Sequence, residues 1–178
     1  MPFRIDATAY PIRLTVWKTI PGNIRVNVES MNARLAREGR RMTEKLRADN
    51  RSAFQMGGHR HHGGRQWRGL SEVTIMRKGH AAPLIDGKQK YTSNMQRRQS
   101  VLGRTKIIGR KLVYEVKGIN NAWYSHLHQF GFVHKSYGYV APRPPIVFTG
   151  KDGELADSVL DMLSRPDLRP KNKRKLGR

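Results

Sequence analysis

No cysteine occurs among the 178 residues, which excludes a disulfide framework, a thiolate metal site and every zinc-finger reading that depends on paired cysteines. An intracellular folding compartment fits that absence. Long apolar runs are missing too: none approaches the ~20 residues that span a bilayer, and the start Met1-Pro2-Phe3-Arg4-Ile5-Asp6 lacks a signal-peptide core. A soluble chain with no membrane partner, not exported by that route, is expected. Acidic residues are scarce, at 13 Asp and Glu against 35 Lys and Arg, for a formal net charge of +22. At low salt such a field holds polyanions close, so nucleic acid or an acidic protein surface is an expected neighbour. There is no G-x-S-x-G elbow, no Walker A loop and no GxGxxG after a strand, which removes the enzyme classes built on them. Internal repeats are absent.

What is present begins with length. At 178 residues the chain is one domain's worth, and a domain of about 150 residues buries roughly 70% of its unfolded surface. Residues 12–28 alternate loosely between apolar and polar on either side of Pro21-Gly22-Asn23. That pattern predicts a hairpin arm, with Ile12, Leu14 and Val16 on one strand and Ile24, Val26 and Val28 on the other. From Ser30 the period changes. Met31, Leu35, Met42, Leu46 and Phe54 recur at helical spacings, predicting one amphipathic helix capped by Ser30 and stopped by Gly57-Gly58, with Gly39 weakening its middle by about 1 kcal/mol.

The run GGHRHHGG over 57–64 reads as a flexible surface loop, after which Trp67 and Leu70 anchor the chain on the core. Val73, Ile75 and Met76 suggest a short strand or helical turn, and residues 91–102 a further short helix or strand carrying Arg97 and Arg98. Residues 106–108 and 111–116 flank Gly109-Arg110 as a β-hairpin. Helix is predicted over 121–130 with Trp123, Leu127 and Phe130 on one side, an extended segment over 139–148, and a last helix over 154–163 with Leu155, Val159, Leu160 and Leu163 inward. Elements of both kinds, segregated along the chain, predict an α+β fold with a mainly antiparallel sheet, a long helix in the N-terminal half and shorter helices. The domain plan is a 1–28 extension carrying the arm, a 29–164 α+β domain, and a basic tail over 165–178. Prolines and like charges predict that the tail is disordered when alone, free to contact DNA or an acidic surface through Arg169, Lys171, Lys173, Arg174, Lys175 and Arg178.

The densest stretch is 122–146, AWYSHLHQFGFVHKSYGYVAPRPPI, which packs aromatics, three histidines, two glycines and a Pro-Arg-Pro-Pro run into one segment. Large aromatics give contact area at low entropy cost, and glycines permit turns that other residues resist. Further motifs precede it: Arg65-Gln66-Trp67-Arg68-Gly69-Leu70 with Thr74, Pro83-Leu84-Ile85-Asp86-Gly87, and Gly118. Ala122-Trp123-Tyr124, His128-Gln129-Phe130-Gly131 and Ala141-Pro142-Arg143-Pro144 then follow. In order and spacing, over about residues 30–160, the chain resembles the virion-morphogenesis, or tail-completion, proteins of tailed bacteriophages, the Mu-like and P2-like group. It departs from their pattern at Asp86, where a small hydroxyl residue is usual, at Ser125 after the tyrosine of the block, and at Pro145, where an aromatic is common.

The resemblance implies a structural, non-enzymatic virion component made in the host bacterial cytoplasm. It would form a ring of six copies at the neck, capping the tail tube and joining it to the head-side connector around the DNA channel. Its partners would be itself, the tail tube protein, the connector or adaptor, and viral DNA through non-specific phosphate contacts; no cofactor is expected. A ring needs a heterologous contact that closes by rotation. The 12–28 arm and the 122–145 segment are the expected contacts, with Trp123, Tyr124, His128, Gln129, Phe130, Arg143 and Pro144 as interface residues and Arg143, held between prolines, as the leading candidate for an interface ion pair or hydrogen bond.

Two other classes compete. In one, the charge itself is the function and the chain is a basic DNA-binding or packaging-associated protein. In the other, His59, His61 and His62, or His126, His128 and His134, hold a divalent metal for a nuclease. The second is poorly supplied with carboxylates: Asp49 and Glu72 are the ones near the first cluster, and 122–146 contains none. His128 is expected to be a structural hydrogen-bonding residue. Arg143, Lys135 and Tyr137 can be read as a base-stacking platform, but Trp67, Trp123, Tyr124 and Phe130 are expected to be core or interface anchors.

Overall fold

The computed structural model describes residues 2–24, 27–59, 64–79, 81, 84, 94–122, 124–136 and 138–165. Four antiparallel strands make the main sheet: β1 (Phe3–Asp6), β2 (Ile12–Thr19), β3 (Gln99–Ile108) and β4 (Lys111–Asn120), in the order β1-β2-β4-β3. Two helices, α1 (Val28–Met56) and α5 (Gly150–Ser164), cover one face of it, α1 lying over β3 and α5 over β2. The α+β class with a mainly antiparallel sheet is as expected. Between α1 and β3 come the short helices α2 (Glu72–Lys78) and α3 (Asn94–Arg97). After β4 come α4 (Ser125–Phe130) and a small hairpin of β5 (Phe132–His134) and β6 (Gly138–Val140).

Why the sheet buries one face follows from period-2 alternation. In β2, Ile12, Leu14 and Val16 are fully buried, and in β4 Leu112, Tyr114 and Val116 join them. Together with Met31, Leu35, Met42 and Leu46 from α1, and Ala156, Leu160 and Leu163 from α5, they form one core. A smaller core lies at the end of α1, where Ala53 and Phe54 meet Trp67, Met95 and Ala122; Phe54 and Trp67 pack edge-on at 5.4 Å. Trp67 is thus the anchor that the sequence suggests.

Strand β2 ends at Thr19 and α1 begins at Val28, so the hairpin arm expected over 12–28 does not form. Arg110 is the physical reason. Its guanidinium donates to the carbonyls of Ile20, Pro21 and Ile24, and its carbonyl accepts from Ile20 N, which satisfies the 20–24 backbone without a second strand. Instead β2 is an interior strand, paired with β1 on one side and β4 on the other, and Ile12, Leu14, Val16 and Ile20 belong to the main core. Residues 2–24 are therefore integral to the domain and not an extension of it.

Helix α1 ends where predicted but starts earlier, at Val28, so that Ser30 lies inside it and the cap is Asn27, whose side chain accepts from Ser30 N at 3.0 Å, a cap of about 1 kcal/mol. Its C-cap, Gly57, sits at φ 68. Gly39 is not merely tolerated: a Cβ there would lie 2.3 Å from Thr105 Cγ2, so glycine lets α1 approach β3. One turn later Thr43 donates to the Gly39 carbonyl at 2.7 Å and shares a hydrogen bond of 3.0 Å with Tyr114. Helix α5 starts from a reciprocal Thr149 and Asp152 capping box. Its Leu155 is exposed, not inward, because Gly153 and Ala156 take the buried positions against Phe3 and the sheet.

Candidate functional site

The segment 122–149 leaves β4, turns through α4 and the β5–β6 hairpin, and returns across the molecule to α5. Its return stretch, 141–149, has no helix or strand of its own. Buried backbone polar groups must still find partners. Pro144 and Pro145 carry no N–H, so only their carbonyls need donors. His59 Nε2 donates to the Pro144 carbonyl at 2.8 Å and Gln99 Nε2 to that of Pro145 at 2.8 Å. Gln129 then pairs with both backbone groups of Ile146, donating to its carbonyl at 2.8 Å and accepting from its N–H at 3.3 Å. Asn50 does the same for Val147, at 3.1 and 2.8 Å. Four buried polar side chains from four different parts of the chain therefore replace a strand partner. Beneath the strap, Gly118 leaves room for Ile146, whose Cγ2 would be 2.3 Å from any Cβ added there.

Pinned at that end, the segment projects at the other. Val133 on β5 and Tyr139 on β6 are directly opposite one another and are 78% and 65% exposed. Phe130, at the end of α4, is 43% exposed with its ring edge-on to Tyr10 at 6.0 Å. The hairpin thus displays large apolar side chains on a short element that is tied down at its base, where Arg143 N donates to the His128 carbonyl at 2.7 Å. A second exposed apolar pair, Val73 and Met76, lies on α2. Between 68–74 and 139–143 opens a cleft of ≈ 480 Å³, with Arg68, Ser71, Thr74, Tyr139 and Arg143 in its walls.

The predicted interface residues divide sharply. Trp123 lies outside the described residues, as do Tyr137, His61, His62 and the tail residues Arg169, Lys171, Lys173, Arg174, Lys175 and Arg178. Tyr124 is half-buried against the smaller core and meets His128 edge-on at 6.1 Å; His128 in turn meets Phe132 at 5.7 Å. Gln129 is buried and its amide is spent inside the subunit, so its side chain offers nothing to a neighbouring copy. The α4 face that turns inward is Ser125 and Gln129; of the expected stripe, Leu127 is half-buried and Phe130 is exposed. Arg143 is also used internally. Its Nε donates to the Arg68 carbonyl at 2.9 Å and an Nη to that of Gly69 at 3.1 Å, while burial and then the nearby Arg68 charge lower its pKa. Pro144 contributes its carbonyl to His59. Arg143 thereby ties two loops of one chain.

His59 corrects the loop reading as well: it is fully buried and packs edge-on to Trp67 at 5.8 Å. Among the described residues no group of three or more His, Asp or Glu is placed to hold a metal ion. The pinning residues Asn50, Gln99 and His59 were not anticipated in that role. For Asn50 a signal exists: it sits four residues after Leu46 and four before Phe54, a polar residue on the apolar stripe of α1. No helix among the described residues is long and apolar enough to cross a membrane. Comparisons with protein-family models, with curated proteins and with solved structures found no match to this chain.

Proposed function

We propose that the chain is a structural, non-enzymatic virion protein of a tailed bacteriophage, assembling as a ring of six copies at the neck. The ring completes the tail, joins it to the head connector and surrounds the DNA channel. The motif order from Trp67 to Pro144 supports the family reading, and the single observation that carries the assembly reading is the Val133 and Tyr139 pair, large and exposed on a hairpin whose base is pinned. Exposed apolar surface that is rigidly mounted favours a protein partner, since ordering costs are already met. A heterologous contact needs two different patches, and α2 with Val73 and Met76 supplies the second. The revised interface set is Phe130, Val133 and Tyr139 with Tyr10 beside them, in place of Gln129 and Arg143.

Val133→Asp and Tyr139→Ala test this. Both positions are exposed, so the variants should keep the parent's circular dichroism and melting temperature while losing ring formation and tube capping. Variants that assemble normally would remove the hairpin from the interface. The charge of +22 favours a second reading, a basic DNA-binding protein whose subunits act as monomers or dimers.

A further inference from the structure

One face of the main sheet is covered by α1 and α5; the other is not covered by any element of the described residues. Alternation along the strands puts a fixed set of side chains on that open face, and the register aligns them across all four strands. The cations there are Arg4, Arg13, Arg104, Lys106, Lys111 and Lys117. Against them stand two carboxylates, Asp6 and Glu115, and Glu115 is already paired with Lys106 at 2.7 Å. Arg13 and Lys117 are directly opposite one another on the two central strands. Like charges so placed destabilise a sheet, and an anion laid over them relieves that cost.

We propose that this open face binds the phosphate backbone of duplex DNA. The face is broad: strands about 4.8 Å apart and about 3.4 Å per residue give four strands roughly 15 Å across and β2 about 25 Å long. Over that length a duplex presents about 15 phosphate charges. A regularly spaced polyanion suits cations spread over a whole face better than a protein surface that must match carboxylates to them one by one. Duplex is favoured over single strand because Trp17, 37% exposed, is the one aromatic among the outward side chains of β2, β3 and β4, and a stacking platform needs several. Binding here requires neither the ring nor the 165–178 tail.

The test is binding of a mixed-sequence duplex to the full chain by fluorescence anisotropy across a salt series. Arg13→Gln, Arg104→Gln and Lys117→Gln together should weaken binding about a hundredfold or more at 0.1 M salt and lower the log–log salt slope by about one per residue. The same charge change on the outer face of α1, Arg37→Gln with Arg40→Gln and Arg41→Gln, should weaken it no more than about threefold. Both variants should melt within a few degrees of the parent, because in the first the lost Arg13–Lys117 repulsion offsets the lost pairings of Arg13 with Asp6 and of Arg104 with Glu115, and the second touches only exposed side chains. Equal losses in the two variants would assign binding to diffuse charge and overturn the proposal. Tighter binding of single strand than of duplex would also overturn it, and so would unchanged DNA binding with lost connector docking, which would assign the face to an acidic protein. Ring formation, scored separately in high salt, is expected to survive in both variants, so failure of the neck reading and failure of the DNA surface are told apart.

Discussion

Replacing Gly103 by alanine puts a methyl group where α1 and the sheet come closest. The added Cβ would lie 1.8 Å from Thr43 Oγ1 and 3.1 Å from Thr43 Cβ. Thr43 has no easy retreat, since its hydroxyl is bonded to the Gly39 carbonyl at 2.7 Å and to the Tyr114 hydroxyl at 3.0 Å. Turning the side chain away strands the buried Tyr114 hydroxyl, a cost of about 1–3 kcal/mol. Holding it in place pushes the helix off β3, and such overpacking costs about 1–3 kcal/mol as well. The better strand propensity of alanine returns less than ~1 kcal/mol. A net loss of about 1–2 kcal/mol is expected, read as a lower urea midpoint with an unchanged m value by circular dichroism. For a chain of 178 residues this lowers the melting temperature by roughly 2–8 °C. Thr43→Ala alone should cost about 1–2 kcal/mol through Tyr114. In the double variant the closest obstacle, the hydroxyl, is gone and only the 3.1 Å approach to the Cβ of position 43 remains, so the total should lie just above that of Thr43→Ala, a coupling of about 1 kcal/mol in the cycle. Additive losses, or a Gly103→Ala protein as stable as the parent, would refute the close-contact reasoning.

Gln129→Ala strips both backbone groups of Ile146 of their partners and should destabilise by about 2–4 kcal/mol; Asn50→Ala should do the same at Val147, and either variant melting like the parent would contradict the pinned strap. Tyr114 gives a pH signature. Burial raises its phenol from 10.0 to about 12, so the stability linked to it is fully present below the unfolded value and is lost as pH rises through the folded one. In Tyr114→Phe the fall in unfolding free energy from urea titrations over that alkaline window should be shallower by about 2–3 kcal/mol in total, and an identical fall in both proteins would show that Tyr114 does not contribute. Phe130→Ala, at an exposed position, should leave the melting temperature within a few degrees of the parent and weaken self-assembly at limiting protein concentration in light scattering; a collapse in stability would place Phe130 in the core instead.

Local pattern carried part of this structure and not the rest. The long helix, the 106–116 hairpin and the last helix are visible because their periodicity is sustained over many residues or closed by a tight turn. Strand β1 is four residues long, too short for a period to register, and without it β2 looks like half of an arm and not an interior strand. What keeps 20–24 from turning back into a strand is Arg110, about 90 positions away, and no local window contains it. The site shows the same division. Pro144-Pro145 announces a segment that cannot join a sheet fully, but the side chains that satisfy it, Asn50, His59, Gln99 and Gln129, are dispersed over 80 positions and look like ordinary polar residues. The residue types of Gln129 and Arg143 do not say which partner they take; in the structure their hydrogen bonds close within one chain.

Subunits are proposed to assemble into a ring at the end of a tail. The most direct measurement is the mass and shape of the purified protein in high salt, with and without tail tubes, by light scattering and negative-stain imaging. Closed rings of six copies, or subunits seated on tube ends, are the predicted result. A monomer that stays a monomer and ignores the tubes would contradict the neck reading and leave the proposed binding of DNA by the basic sheet as the function to pursue.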